Sequence, residues 1–414
     1  MRYVVIGSSA AGINGIRGIR SEDKEGEIIL ISKDEAVYSR CILHHYMESI
    51  RDLKRLSFIE KDFFEKHKVQ WVSGKAVTGL NSDKREVALE DGSLIAYDKL
   101  LIASGSHSFL PPVLNLREAD GVFGFRNLED IEQIMVRAKT AGDIVVMGAG
   151  LVGIDCISGL LPLKKNLSLV EMQDHMLAIQ LDKKAASAYE QAFLEKGVRQ
   201  YFAVGINEVV MDENNHVRKV ILTNGEVLPC DLLVVTAGIR ANIAFLSGSG
   251  VETDQRGLLI DETGRTNIEG VYGAGDVTGR NPIWPVAVKE GLIAGCNMAG
   301  GNKCMTDFFA SKSTMNFLGI PTLSLGVNTR PDETYQEIIQ ETDGGDYKKI
   351  IFKDGRIYGA ILQKDLAYAG VLTQIIRRNI DVSKVKKPVF KIDYSDFFHL
   401  NNNFEFMYDE QEKV

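Results

Sequence analysis

The most constraining feature of the chain is an unbroken Gly148-Ala149-Gly150-Leu151-Val152-Gly153 set directly after the apolar run Asp143-Ile144-Val145-Val146-Met147. A strand that runs into G-x-G-x-x-G and then into a helix opens a βαβ unit. The first glycine allows the tight turn, the second lets backbone amides approach a pyrophosphate, and the third lets the helix pack on the strand. The next apolar run, Leu167-Ser168-Leu169-Val170, ends in Glu171. A carboxylate there accepts hydrogen bonds from the adenosine ribose hydroxyls and repels a 2′-phosphate. NADH is therefore expected in preference to NADPH, held by Gly148, Gly150, Leu151, Val152, Gly153 and Glu171.

A second such unit stands at the start of the chain. The strand-like Arg2–Ile6 leads into Gly7-Ser8-Ser9-Ala10-Ala11-Gly12, then a helix-like stretch, then the apolar Glu27-Ile28-Ile29-Leu30-Ile31. Ser9 replaces the middle glycine and is small enough to be tolerated, and the second strand ends in Ser32-Lys33 without an acid. Two fingerprints in one chain, each in the order strand, small-residue loop, helix, strand, predict two dinucleotide sites. Short strands separated by turn signals, at Val69–Val72, Val87–Leu89 and Val220–Leu222 before Asn224-Gly225, read as antiparallel meanders inserted into the two units. From about Asp307 the pattern changes. Tyr347–Phe352 and Ile357–Leu362 flank Lys353-Asp354-Gly355-Arg356, a hairpin signal, and an apolar helix is expected over Leu366–Arg378.

The remaining composition excludes several classes. With 414 residues the chain has room for two or three domains, and a net charge of −8 gives no general pull toward nucleic acid or anionic membranes. No apolar run reaches the roughly 20 residues of a spanning helix, and the N-terminus has no signal-peptide pattern, so a cytoplasmic location is expected. The five cysteines, Cys41, Cys156, Cys230, Cys296 and Cys304, are scattered without a C-x-x-C pair, so neither a disulfide framework nor an iron–sulfur or zinc site is expected on the chain. His44 and His45 are adjacent and the other histidines lack companions at ligand spacing, so no metal site is predicted.

Three further segments carry a resemblance. Tyr97-Asp98-Lys99-Leu100-Leu101-Ile102-Ala103-Ser104-Gly105-Ser106 resembles the strand and turn that close the first FAD segment of the two-dinucleotide-domain flavoproteins, the FAD-dependent pyridine nucleotide-disulfide oxidoreductases. Asp231 to Asn242, with Ala237-Gly238, resembles the strand by which their NADH domain returns to the FAD domain. Val271-Tyr272-Gly273-Ala274-Gly275-Asp276 matches their G-x-G-D motif. The resemblance implies an α/β fold. Two Rossmann-like domains, three-layered with inserted β-meanders, would bind FAD and NAD(H), followed by a C-terminal α+β domain. The domains would be residues 1–110 (FAD, first segment), 111–245 (NAD), 246–305 (FAD, second segment) and 306–414 (interface). It further implies FAD on Gly7, Ser9, Ala10, Ala11, Gly12, Ser32, Lys33, Arg40, Ala103, Ser104, Gly105, Gly275, Asp276 and Ala287, with Asp276 on the ribityl chain and the helix after Pro285 aimed at the flavin. NADH would lie on the second fingerprint and on Ala237 and Gly238. Asp155 stands where the family usually carries a Glu near the nicotinamide.

Subfamilies differ in where electrons go after the flavin. Tyr38-Ser39-Arg40 followed by Leu43 resembles the segment of NADH:rubredoxin reductases and of the flavin portion of assimilatory nitrite reductases, which pass single electrons to an iron–sulfur or rubredoxin-type carrier. Cys41 aligns with the single redox cysteine of NADH oxidases and coenzyme A disulfide reductases, which makes a Cys41-dependent disulfide or persulfide reductase the main alternative. Ala10 stands where the oxidases and peroxidases carry a His. A non-enzymatic nucleotide-binding redox sensor is the third reading, disfavoured by two intact fingerprints. The tail aromatics Phe390, Tyr394, Phe397, Phe398, Phe404, Phe406 and Tyr408 are expected to pack on their own domain or to form a partner or dimer contact.

Overall fold

The computed structural model describes residues 1–306 and 312–408, so the start of the expected C-terminal domain at 307–311 and the last six residues lie outside the described residues. The chain divides into two compact units, residues 1–148, 152–169 and 205–310, and residues 149–151, 170–204 and 311–414.

In the first unit, strands β1 (Arg2–Ile6), β2 (Glu27–Ser32), β3 (Val69–Ser73) and β4 (Lys99–Ile102) run parallel in the order β4-β1-β2-β3. Val69–Val72 is thus the parallel edge of this sheet and not part of a meander, because it pairs with β2 from Ile28 to Ser32. A second sheet follows from β5 (Val122–Gly124), β6 (Asp143–Met147), β7 (Asn166–Val170) and β8 (Leu232–Val235), in the order β7-β6-β8-β5. The chain then returns with β9 (Val271–Gly273), parallel to β4, to complete the first sheet. The inserted segments at 77–96 and 206–229 are three-stranded antiparallel meanders, as expected from Val87–Leu89 and Val220–Leu222.

The alternation of side chains explains the layering of the first sheet. Tyr3, Val5, Ile28, Leu30 and Leu101 point to one face, where they join Ile13, Ile16 and Ile19 of helix α1 (Ala10–Glu22). Val4, Ile6, Ile29, Ile31, Leu100 and Ile102 point to the other, where they join Leu80, Val87 and Leu89 of the meander and Leu246 and Leu258. Strands covered on both faces read as continuous apolar runs, which is why β1 and β2 are almost wholly apolar.

Three more helices matter for the site: the short α2 (Leu43–Met47), α3 (Leu151–Leu160) and α4 (Trp284–Met298). Helices α1 and α4 lie parallel and touch through backbone. A Cβ at Gly291 would stand 2.2 Å from the Ala11 carbonyl oxygen, one at Gly295 would stand 2.0 Å from that of Gly15, and one at Gly18 would stand 2.4 Å from that of Leu292. The two N-termini consequently sit at the same end, above the carboxyl ends of the strands. That is also where the strand order reverses, between β1 and β4, the usual place for a ligand in an open parallel sheet.

The second unit carries an antiparallel sheet of β10 (Lys312–Phe317), β11 (Ile320–Gly326), β12 (Gln336–Glu341), β13 (Tyr347–Lys353) and β14 (Arg356–Gln363), in the order β10-β11-β14-β13-β12. The expected hairpin is present, and Asp354 and Gly355 at its tip take φ of 47° and 76°, the left-handed pair a two-residue turn needs. The expected apolar helix runs Ala369–Arg377, packed on β14 and β11. Asp182 caps helix Lys183–Glu195 and accepts from Tyr347 Oη at 2.7 Å and Lys349 Nζ at 2.9 Å, which ties that helix to the sheet. Of the tail aromatics, Phe390 and Phe397 are half-buried whereas Tyr394, Phe398 and Phe404 are exposed.

The backbone contact between α1 and α4 leaves no room for a side chain. Gly295→Ala is expected to cost roughly 1–3 kcal/mol through overpacking, read as a lower denaturant midpoint at unchanged slope.

Candidate functional site

The two glycine loops have nearly the same geometry, although they share only two of three glycines. Gly7 and Gly148 take φ of 106° and 108°. A Cβ at Gly12 would stand 1.8 Å from the Gly7 carbonyl oxygen, and one at Gly153 would stand 1.9 Å from that of Gly148. A side chain at Gly7 would also strike the Ala103 carbonyl at 2.1 Å, so the loop is wedged between β1 and the end of β4. At the middle position the loops differ. Gly150 faces open space, and Ser9 is the N-cap of α1 but makes no side-chain cap hydrogen bond. The first amides of α1 are therefore left for a ligand, and an uncapped helix N-terminus favours phosphate.

Glu171, directly after β7, is held against the second glycine loop by two backbone amides. Its Oε2 accepts from the Ala149 amide at 2.7 Å and its Oε1 from the Gln173 amide at 2.8 Å, which leaves a further lone pair on each oxygen for hydroxyls. In the other loop the corresponding residues are differently engaged. Ser32 Oγ donates to the Asp34 carbonyl and accepts from Trp71 Nε1, and Lys33 pairs with Glu129 at the surface, 3.3 Å away.

Around Asp276 the chain gathers polar groups from distant segments. Asp276 follows β9, and its Oδ2 accepts from Arg126 Nη2 and from Ser106 Oγ at 3.1 Å. Arg126 Nε is buried without a partner. Gly275 takes φ of 82° and approaches Ala11 and Ala287, so that Asp276 is delivered beside the N-termini of both helices. Arg40 pairs with Asp34 at 2.6 Å, and Asp34 also accepts from Tyr38 Oη at 3.0 Å. Ser104 and Asn242 bond reciprocally, at 2.9 Å in each direction, beside Gly105, and Phe109 donates to the Gly238 carbonyl, so the stretches 104–109 and 238–242 run side by side in antiparallel sense. An orphaned buried donor, uncapped α1 amides and a cradle that a Cβ would fill all fit the FAD implied by the sequence.

Two carboxyls are strongly perturbed. Glu290, on α4, accepts from the Gly275 amide at 2.7 Å, and burial pushes it up to about 7. Asp155, on α3, is pushed up to about 8, first by burial and then by Glu48. Its Oδ1 lies 3.3 Å from His44 Nδ1, and burial lowers that imidazole to about 4. Cys41 keeps an open face, yet the protein packed around it raises its thiol, with Asp155 and Asp276 adding to the rise and Arg126 opposing it.

Sequence reasoning missed Arg126, Ser106, Glu290 and the pairing of His44 with Asp155. The single acid in the largely apolar α4 was a readable signal for Glu290. The others come together from segments far apart in sequence and carry no local pattern. Among the described residues no group of ligand-type side chains could hold a metal ion, and no helix is long and apolar enough to cross a membrane.

The model of the pyridine nucleotide-disulphide oxidoreductase family matches residues 1–291, and that of the rubredoxin NAD+ reductase C-terminal domain matches residues 312–380. The NADH-dependent phenylglyoxylate dehydrogenase subunit epsilon of Aromatoleum evansii is 30% identical over 400 residues, 93% of each chain. The assimilatory nitrate reductase electron transfer subunit of Bacillus subtilis is 25% identical over 95% of this chain, which spans only 51% of that protein. Among solved structures, an NAD-dependent persulfide reductase from A. fulgidus matches with a TM-score of 0.83 at 25% identity, over 92% of this chain and 77% of that one.

The raised Glu290 carboxyl has a consequence for stability. The folded protein holds its proton more tightly than the unfolded chain, so this contribution is complete below about 4.5 and is lost as pH rises through about 7. Glu290→Gln is expected to remove that downward slope, worth up to about 3 kcal/mol, in denaturant titrations run between those limits.

Proposed function

The chain belongs to the pyridine nucleotide-disulphide oxidoreductase family, an NADH-dependent flavoprotein oxidoreductase whose cofactors are FAD and NADH, and on that premise we propose that it exchanges electrons between NAD(H) and a small iron–sulfur or rubredoxin-type carrier protein. The observation that carries this reading is the state of Cys41. Its thiol is pushed up, not down, the other cysteines are dispersed through the sequence, and His44, three residues on, meets Asp155. A nucleophilic or redox thiol needs the opposite setting. The rubredoxin-reductase-type C-terminal domain and the likeness to an electron transfer subunit support the same direction. They also support a carrier on a separate polypeptide. The aromatic tail and a second copy joined through residues 306–414 are the corresponding partner contacts in this proposal.

In this reading the residues have distinct tasks. Gly7, Ser9, Ala10, Ala11 and Gly12 seat one pyrophosphate on α1, and Gly148, Gly150, Leu151, Val152 and Gly153 seat the other on α3. Glu171 selects an unphosphorylated ribose, with Ala237 and Gly238 along the same nucleotide. Asp276, fixed by Arg126 and Ser106, orients the polyol of the flavin nucleotide, and Ala287 in the first turn of α4 brings that helix's positive end beside it. Arg40, Ala103, Ser104 and Gly105 line the same arm. FAD, when bound, supplies the conversion of a two-electron hydride into single-electron steps. The protein's contribution is to bring the two nucleotides together in the geometry that makes the transfer effectively unimolecular.

A second reading keeps Cys41 as a redox group, favoured by its open face and by the likeness to the persulfide reductase. Anaerobic titration of the FAD-loaded protein with NADH separates the two. The carrier reading expects full bleaching of the flavin by about one equivalent with no long-wavelength thiolate band, and Cys41→Ser with unchanged reduction of a carrier protein. Consumption of a second equivalent, or loss of turnover in Cys41→Ser, moves the assignment to disulfide or persulfide reduction.

A further inference from the structure

The contact between α2 and α3 joins the two nucleotide-binding halves of the first unit. α2 follows the Arg40–Cys41 segment of the FAD half, and α3 opens directly from the second glycine loop. The approach is close at Gly159. A Cβ there would stand 3.3 Å from both Cα and Cβ of His44 and 3.2 Å from Met47 Sδ. Asp155 lies one turn earlier on the same face of α3, and so meets the His44 ring with Nδ1 and Oδ1 3.3 Å apart and only 15% and 22% of the two side chains exposed. His44 Nδ1 is buried and has no hydrogen bond of regular geometry, and the same is true of His45 Nδ1 behind it.

Two nucleotides that exchange a hydride must bring their rings together where their binding halves meet, and that is where this pair stands. Its surroundings hold little to fix its charge. The titratable groups that face it are Glu48 at the end of α2, His45 on α2, Cys41 before it and Cys156 beside Asp155 on α3, with Arg51 beyond His45. Burial works against both ionised forms, carboxylate and imidazolium alike. Over the neutral range the pair therefore carries one proton and no net charge, with the proton on the carboxyl side.

Resting on the functional reading above, we propose that His44 and Asp155 hold one proton between them beside the nicotinamide and that this proton discriminates between its two states. The neutral pair is kept next to uncharged dihydronicotinamide. Next to the cationic ring of NAD+ the carboxylate becomes the favoured form, and the proton leaves to solvent. The balance over turnover is that NADH and two oxidised carriers give NAD+, one proton and two reduced carriers. The pair's own proton is released as NAD+ forms and is taken up again when NAD+ departs, so it cancels. Asp155 acts directly on the nicotinamide's charge, and His44 acts through Asp155 as a positioning residue.

The test is binding, with no acceptor present. On the FAD-loaded protein, calorimetry of NAD+ and of NADH in two buffers of different ionisation enthalpy counts protons exchanged. At pH 7 about one proton is expected to leave per NAD+ bound and about none per NADH. NAD+ affinity is expected to rise by up to about tenfold per pH unit until it levels off near 8, while NADH affinity stays flat. Asp155→Asn is expected to abolish the proton release, Asp155→Glu to restore it, and His44→Leu to move the midpoint upward, since an apolar side chain beside the buried carboxylate solvates its charged form less than the imidazole does. Proton release of zero in the natural protein, or its survival in Asp155→Asn, overturns the inference. Failure of both nucleotides to bind tells instead against the functional reading from which it starts.

Discussion

The backbone contact between α1 and α4 is the constraint on which the rest of the flavin-side architecture depends. Helices that meet through side chains stand 8–10 Å apart, with broad tolerance. Helices that meet glycine to carbonyl have one depth and one register. Gly291 against Ala11 and Gly295 against Gly15 fix both for this pair, and with them the positions of two N-termini over the strand ends. The loop glycines extend the same logic, since Gly7 lies against Ala103 and Gly275 against Ala11. A cleft built from backbone contacts is rigid without needing a large apolar interface, which suits a cofactor that must keep its place through repeated redox cycles.

How much of this was legible follows from the same distinction. Steric requirements are written locally, so both glycine loops, the G-x-G-D turn and the hairpin tip at Asp354-Gly355 could be read directly. Sheet membership is not local. Val69–Val72 has the same short apolar pattern as the meander strands, and only its pairing with Ile28 to Ser32 shows it to be a parallel edge. The polar half of the site was the least legible. Arg126 reaches Asp276 across 150 positions and Ser106 across 170, and no period or motif encodes such a meeting. Asp155 was singled out from resemblance, but its partner was not, because His44 and Asp155 lie far apart in sequence and meet only where α2 packs against Gly159 of α3.

The three acids of the cleft show how one fold sets charge by environment. Asp276 has a guanidinium and a hydroxyl against it and is held in place as an acceptor. Glu290 has a backbone amide and burial, and it stands close to balance at neutral pH. Asp155 has burial, a neutral imidazole and a second carboxyl nearby, and it is kept protonated. A buried carboxylate gains most from a guanidinium, less from a single amide and least from a neutral histidine.

That gradient bears on the chemistry of the two nucleotides. In the proposed reading a flavin nucleotide stays bound throughout, so the group that orients it gains by having a fixed position, and its arginine partner provides one. The nicotinamide nucleotide arrives in one charge state and leaves in another. A fixed carboxylate beside it would hold NAD+ too well, and a fixed cation would repel it. A residue whose charge is free to change is the remaining solution, and it requires a partner that does not lock the carboxylate. His44 meets that requirement where a lysine or arginine at the same place would not, because burial keeps the imidazole neutral over the range in which Asp155 titrates.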